Sequence, residues 1–237
     1  MRKPLPNPSV EPIKPPKPKL RGVSHLVMTL VAMPMTLQLY GLGADIERAW
    51  QTAVYSVAFV LLFGVSALYH VPMWTPNRRA QLRKLDRSMI YVFIAGTYTP
   101  ICAAVGGSSE QIVLPAAWTA AMCGVAFTLL GSGWPRYVTA LPYVVLGWGA
   151  VSFMPAVSES FGSTTFWCIT GGGVAYTIGA ICYAFRKPSP WPATFGYHEL
   201  FHLLVILAAV LHFKGIETAF EILQTSPVHK ALATIPS

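Results

Sequence analysis

The sequence predicts an all-α, polytopic integral membrane protein: a bundle of seven transmembrane helices with a cytoplasmic amino terminus and an outer carboxyl terminus. Three observations lead to this prediction. Of the 237 residues, 54% are hydrophobic and 11% charged, with a mean hydropathy of +0.51, whereas about 25% of the residues of a soluble domain are charged. Apolar runs of roughly 20 residues, long enough to cross a bilayer, recur along the chain. The positive charges concentrate in alternate connections between these runs.

The chain begins with a basic, proline-rich segment, residues 1–21. It holds seven of the 20 prolines and six positive charges, so it is predicted to be a disordered, solvated cytoplasmic tail. An apolar run of about spanning length follows it. That is more typical of an uncleaved first helix than of a signal peptide.

Seven apolar runs then follow, and together they define a predicted membrane domain over residues 22–216. Charged residues are absent from the second to the sixth run, and the connections carry glycine, proline, asparagine and serine. Residues 217–237 are predicted to form a short carboxyl-terminal tail. The runs cover residues 23–42, 50–71, 88–105, 112–131, 137–157, 164–185 and 198–216.

The connections test the orientation of these spans. With a cytoplasmic amino terminus, 14 of the 17 lysines and arginines lie on the inner side. The outer side receives Arg48, Lys214 and Lys230, and its connections near Gly107 and Gly162 carry no positive charge. The positive-inside rule therefore favours an inner amino terminus and an outer carboxyl terminus.

Five polar residues near span ends require an explanation, because such side chains are costly in hydrocarbon unless they have partners or a function. The second span ends inside with Ser66 and His70, the third begins inside at Asp86, and the seventh begins inside with His198 and His202. All five are therefore predicted to lie at one depth, near the cytoplasmic face.

The histidine spacing suggests a metal site at that depth. His198 and His202 are four residues apart on a helix, so their imidazoles share one face, and His70 supplies a third nitrogen. Three imidazoles suit Zn²⁺ and leave a fourth tetrahedral position open, as in catalytic sites. Asp86 is a candidate proton acceptor and Ser66 a candidate hydrogen-bond donor to substrate.

Structural interpretations of the same residues stay open at this point. Asp86 can pair with Arg83 or Arg87, and Ser66 can allow close helix packing. The paired histidines can bind headgroups or backbone. The string HELFH (198–202) also matches the H-E-x-x-H protease signature, with Glu199 as base and Asp86 as third ligand.

The remaining histidines are left outside the predicted metal set. His25 lies near the inner end of the first span and is at most a hydrogen-bond partner of the site. His212 lies ten residues past His202, which places it about 15 Å farther along the helix axis. His229 belongs to the carboxyl-terminal tail.

Three segments resemble the haemolysin III family, which is related to the progestin and adiponectin receptors. They are SALYH (66–70), LDRSMIYVFIAGTYTP (85–100) and HELFHLLVILAAVLHF (198–213). The resemblance implies a seven-helix bundle that binds zinc through His70, His198 and His202, with Asp86 and Ser66 beside the metal. It further implies a relation to lipid-amide hydrolases such as alkaline ceramidases.

The sequence thus leads to a main functional hypothesis and two alternatives. The main one is a zinc-dependent intramembrane hydrolase of a lipid amide, located in the plasma membrane (in bacteria, the inner membrane), with membrane lipids rather than nucleic acid as partners. The first alternative is a non-enzymatic receptor or regulator of membrane lipid or energetic homeostasis with structural zinc. The second, a transporter or channel, is the weakest, because few polar residues continue the pathway across the bilayer.

Overall fold

The computed structural model describes residues 17–131 and 133–226, and this part of the chain is helical. A π-helical turn, Ser109–Val113, leads into the fourth helix, and a 3-10 turn, Gly149–Phe153, links the fifth to the sixth. No strand occurs among these residues, which confirms the all-α prediction. The helices are α1 (Val23–Asp45), α2 (Ala49–His70), α3 (Pro76–Val105), α4 (Leu114–Leu130), α5 (Arg136–Trp148), α6 (Met154–Phe185) and α7 (Tyr197–Thr225).

Six helical segments of the described chain are long and apolar enough to cross a membrane, one fewer than the seven spans predicted. The difference arises because α5, the 3-10 turn and α6 follow one another without interruption. They form a single segment of 50 residues, Arg136–Phe185. The multi-pass character of the protein is thereby confirmed.

The segment Arg136–Phe185 doubles back on itself at Gly162. This glycine has φ 75° and ψ −178°, a conformation that residues with a Cβ rarely adopt. The indole of Trp148 donates a hydrogen bond to Thr177 Oγ1 at 2.9 Å, and the guanidinium carbon of Arg136 lies 5.0 Å from the ring centroid of Tyr183. The two arms on either side of Gly162 therefore run antiparallel.

An aromatic cluster fills the centre of the bundle and joins α2, α3 and α7. Phe59 lies 5.6 Å from Phe93 and 6.2 Å from Phe213, measured between ring centroids, and Tyr55 and Phe63 extend the cluster along α2. These side chains are buried, whereas large apolar residues such as Leu30 and Leu130 are exposed. Exposed apolar faces are expected where helices contact lipid.

Close packing between α6 and α7 depends on a glycine. A Cβ at Gly172 would lie 2.2 Å from His212 Cδ2 and 3.0 Å from the carbonyl oxygen of Ala208. Small residues let helix backbones approach in this way.

Several predicted boundaries differ from the structure, among them those of α3 and α7. Helix α3 begins at Pro76, well before the apolar run at 88, because its first turns are helical but carry arginines. Helix α7 continues to Thr225 rather than 216, because Glu217 is stabilised by Lys214 and Gln38 inside the helical bundle. Apolarity marks the part of a helix in lipid, whereas the helix itself extends beyond it.

Residues 1–16 of the predicted amino-terminal tail lie outside the part of the chain that the structure describes. Its last residues are ordered: the amides of Lys19 and Leu20 donate to the carbonyls of Ala193 and Thr194 at 3.2 and 3.3 Å. Lys17 Nζ donates to the carbonyls of His70 and Val71. Backbone pairing therefore joins residues 19 and 20 to the α6–α7 connection.

Candidate metal centre

Two helices deliver the three predicted histidines to one point. His70 is the last residue of α2, and His198 and His202 lie in the first two turns of α7. Their nitrogen atoms lie within 4.8 Å of one another. Nε2 of His198 is 3.2 Å from Nε2 of His70, and the ring of His202 lies 5.0 Å from that of His70 between centroids. The predicted convergence of these three residues is confirmed.

The chemistry of this donor set fits a metal ion. Each imidazole offers one ring nitrogen to the common point, and His70 and His202 are buried. Neutral imidazoles are borderline-soft ligands that suit Zn²⁺ and related divalent ions. The three histidines can therefore hold one metal ion between α2 and α7.

Asp86 and Ser66 lie next to the histidines. Oδ2 of Asp86 is 3.9 Å from Nε2 of His70, and Ser66 lines the same cavity as Asp86. Ser66 is buried one turn before His70 on α2. Arg87 acts electrostatically on Asp86, as one structural interpretation expected, yet Asp86 also faces the histidines. All five predicted site residues are thus close together.

His25 is part of the surroundings of the site, although it was left outside the predicted metal set. It is buried, and its ring stacks on that of His202, with centroids 3.8 Å apart and planes 13° apart. Its Nε2 lies 3.4 Å from the carbonyl oxygen of His202. His25 therefore positions His202 through stacking, a contact that spacing along the chain does not reveal.

Glu199 has a structural role at the start of α7. Its Oε2 accepts a hydrogen bond from the Gly196 N–H at 2.8 Å, and Arg21 bonds its other oxygen. The protease interpretation requires Glu199 as a free base and Asp86 as the third ligand. Instead, Glu199 caps the helix, and the third group beside the paired histidines is the imidazole of His70.

Positive side chains surround the histidines. Lys17 caps the last carbonyls of α2, as described above, and burial together with the charges of Arg79 and Arg21 lowers the pKa of its ammonium. Arg136 donates to the hydroxyl of Tyr197 at 2.6 Å and stacks on that ring. In the sequence, these positive residues only indicated the orientation of the spans. Their proximity to the histidines depends on tertiary contacts.

A cavity of about 830 Å³ opens beside the histidines and extends into the bundle. Its inner wall is mainly apolar, with Leu62, Ile90 and Phe93 among the lining residues, and it continues past Tyr176 to His212. Nε2 of His212 lies 3.0 Å from the carbonyl oxygen of Ile169. As predicted, His212 is separate from the histidine cluster. The cavity can hold an apolar chain with its polar end at the metal centre.

Comparison with known proteins places these features in a family. The model of the family described as "Haemolysin-III related" matches residues 13–213. "Hemolysin-3" of Bacillus cereus is 30% identical over 163 residues, covering 68% of this chain and 70% of the relative. "Hemolysin-3 homolog" of Bacillus subtilis is 26% identical over 189 residues, covering 78% and 85%.

A human relative, "Monocyte to macrophage differentiation factor", is 23% identical over 201 residues, covering 81% of this chain and 80% of the relative. The family match includes all five residues of the site, from Ser66 to His202. The resemblance seen in the sequence is thereby confirmed: the chain belongs to the haemolysin III-related family of membrane proteins.

Proposed function

We propose that this protein is a zinc-dependent intramembrane hydrolase of a lipid amide. The observation that carries the proposal is the position of His70, His198 and His202, with Asp86 and Ser66 beside them, at one end of a largely apolar cavity. A site of this kind brings polar chemistry to a substrate whose chain stays in an apolar environment. Membrane lipids are its natural partners.

Each residue has a role in this proposal. The three histidines hold the metal, which when bound supplies Lewis-acid activation. Asp86, 3.9 Å from His70 Nε2, accepts a proton at the face of the cluster. The Ser66 hydroxyl donates a hydrogen bond to the Asp86 carboxyl or to the substrate carbonyl. The cavity wall orients the acyl chain and excludes water.

The proposal includes seven crossings of the plasma membrane with a cytoplasmic amino terminus. Arg136, at the start of the segment Arg136–Phe185, contacts Tyr197 at the start of α7, and His198 beside it contacts His70. Both ends of this segment therefore lie on the same side of the bundle. A segment that returns to the same side crosses an even number of times. Two crossings, before and after Gly162, therefore support a total of seven.

A reporter enzyme that is active only outside the cytoplasm tests this topology. We expect activity when it is fused near Gly162 and when it is fused after Ser226. If Arg136–Phe185 crossed once, the carboxyl-terminal fusion would be inactive. That result would contradict the seven-crossing arrangement.

Elemental analysis of the detergent-purified protein tests the metal. We expect about one zinc ion per chain, as in mononuclear sites. The double variant His198→Ala/His202→Ala should lose it, whereas His212→Ala, on the same helix but outside the cluster, should retain it. Absence of zinc from folded wild type after resupply would contradict the proposal.

Turnover of a fluorescent N-acyl lipid in mixed micelles tests the reaction. Asp86→Asn should retain zinc and lose activity by about 100-fold or more, the usual range for a general base. Unchanged turnover in this variant would remove Asp86 from the mechanism.

One observation favours a second candidate function. The ligands come from only two helices, α2 and α7, so a bound metal would link them, as a structural zinc in a non-enzymatic receptor or regulator does. In that case the protein would bind zinc and melt earlier without it, yet hydrolyse none of the lipid amides.

A further inference from the structure

Five arginines line the cavity near the histidine cluster, and we call them the arginine collar. They come from three parts of the chain: the residues before α1, the first half of α3, and the start of α5. The collar consists of Arg21, Arg79, Arg83, Arg87 and Arg136.

The three collar residues of α3 follow a helical register that faces the cavity. Arg79, Arg83 and Arg87 are spaced by four residues, so they lie along one face, and Asp86 and Ile90 of the same helix also line the cavity. Arg78 and Lys84 lie on the same turns, yet they do not line it. The positive-inside rule requires positive charge in this connection but not on a particular face. The positive-inside rule therefore does not explain why these three arginines face the cavity.

Protein groups satisfy only part of the collar. Arg21 pairs with Glu199, and Arg136 donates to Tyr197. Within the described part of the chain, the guanidinium groups of Arg79, Arg83 and Arg87 donate no hydrogen bond to protein. Each guanidinium offers five N–H donors. The exposed Arg79 and Arg83, together with Arg87, whose charge also acts on Asp86, therefore retain guanidinium N–H groups for an external acceptor.

The charge balance at this entrance points to an anion. The collar and Lys17 contribute six positive charges, against which stand the carboxylates of Asp86 and Glu199. Lys17, Arg21 and Arg79 are close enough to His70 to act on it electrostatically. A divalent cation on the three histidines would add to this excess. A ligand with negative charge reduces the repulsion, and the guanidinium fork matches phosphate oxygens in pairs.

We propose that the arginine collar binds the phosphate of an anionic phospholipid whose acyl chain enters the cavity beside the histidines. The lipid source follows from the combination of features: the collar lies at the ends of apolar helices, and the cavity beyond it is lined by apolar side chains. The inference deepens the proposed function, on which it rests, by assigning the substrate class: a phosphate-bearing lipid with an amide-linked acyl chain.

Ligand binding to the zinc-loaded, full-length protein in a neutral detergent tests the collar without reference to turnover. The probes are dihexanoyl phosphatidic acid, dihexanoyl glycerol without phosphate, and inorganic phosphate. Binding is followed by melting temperature and by tryptophan fluorescence, since Trp148 lines the cavity. We expect saturable stabilisation by phosphatidic acid and much less by the other two. Equal stabilisation by inorganic phosphate would identify a site for free phosphate and overturn the lipid assignment.

Matched variants separate the collar from general positive charge. Arg83→Gln/Arg87→Gln removes two collar charges, and Arg78→Gln/Lys84→Gln removes two charges of the same helix that do not line the cavity. The collar variant should weaken phosphatidic acid binding by about tenfold or more, the loss expected for charge-assisted hydrogen bonds. The control should bind like wild type. Equal weakening in both, or in neither, would overturn the proposal.

Zinc content distinguishes this test from failure of the proposed function. Both double variants should retain zinc, and a protein that binds phosphatidic acid but no zinc would contradict only the hydrolase proposal. If exchange of Arg87 lowers zinc content through its effect on Asp86, the single variants Arg83→Gln and Arg78→Gln repeat the comparison between two exposed arginines.

Discussion

At the first turns of α7, His198 and His202 face His70 across a shared point, whereas near the far end of the same helix Glu217 is bonded by two partners. Lys214 Nζ lies 2.7 Å from Glu217 Oε2, and Gln38 Nε2 lies 3.1 Å from Oε1. Nearby, Gln224 donates to Asp45 at 3.0 Å. Both ends contain ionisable side chains, and those of the histidine end line the cavity.

The difference shows how polar groups in a membrane bundle can be sorted. At the far end, each carboxylate oxygen of Glu217 has a donor, so the group serves stability. At the histidine end, three imidazoles direct nitrogen atoms at one another and their nearest carboxylate oxygen is 3.9 Å away. Ring nitrogens from different helices that converge on one point beside a cavity are the groups to examine for ligand binding.

The largest effect expected is that of metal removal at the histidine end. A metal at about 1,000 times its dissociation constant adds roughly 4 kcal/mol to the free energy of unfolding, so a strong chelator should lower the melting temperature of wild type markedly. The variant His70→Ala should start lower and not respond. If wild type melts identically with and without chelator, the two ends of α7 do not differ in the way we describe.

The next largest effect concerns the ion pair that caps α7. Glu199 is 3% exposed and bonded by Arg21, and removal of one partner of a buried pair costs about 3 kcal/mol. Arg21→Ala should therefore lower the melting temperature clearly, and Arg21→Ala/Glu199→Gln should recover part of the loss. The check is a double-mutant cycle by thermal unfolding in detergent. Additive losses would show that the pair is not coupled.

An intermediate effect is expected between the two ends, where α6 touches α7. Gly172→Ala forces a Cβ to within 2.2 Å of His212 Cδ2, and overpacking of this kind costs about 1–3 kcal/mol. Gly173→Ala is the matched control, because a Cβ there meets nothing within 4 Å. The two melting temperatures, measured side by side, should differ. Equal melting temperatures of the two variants would mean that α6 and α7 can move apart at position 172 without loss of stability.

The smallest effect is expected at the far end. Lys214 is 53% exposed, so Lys214→Ala should cost less than about 1 kcal/mol, and Gln38 still bonds Glu217 after the exchange. Zinc content should stay unchanged. A loss as large as that of Arg21→Ala would mean that the two ends are energetically alike.

Much of the site was predictable because topology restricts depth. His70, Asp86 and His198 each lie where an apolar run meets the side predicted to be cytoplasmic, and counting spans predicts that they share one layer. The stacking of His25 on His202 was not predictable, because it depends on the rotation of α1 about its axis. The same holds for the arginines: loop charge predicts their side of the membrane, but the helix face they occupy follows from packing.

The helix boundaries show a similar limit. Hydropathy locates the apolar part of α3 but not its arginine-bearing first turns, since helix formation does not require apolar residues. The connection near Gly162 was predicted from its composition. That the chain reverses direction there within one continuous helical segment of 50 residues depends on a single backbone conformation.

The backbone conformation of Gly162 also determines where the chain leads after the reversal. A straight helix of this length would measure about 75 Å, more than twice the roughly 30 Å of a hydrocarbon core. By reversing direction at φ 75°, Gly162 lets the chain return toward Arg136, which contacts Tyr197 at the start of α7. A residue without a side chain, remote from the histidines, thus determines whether His198 and His202 reach His70 at all.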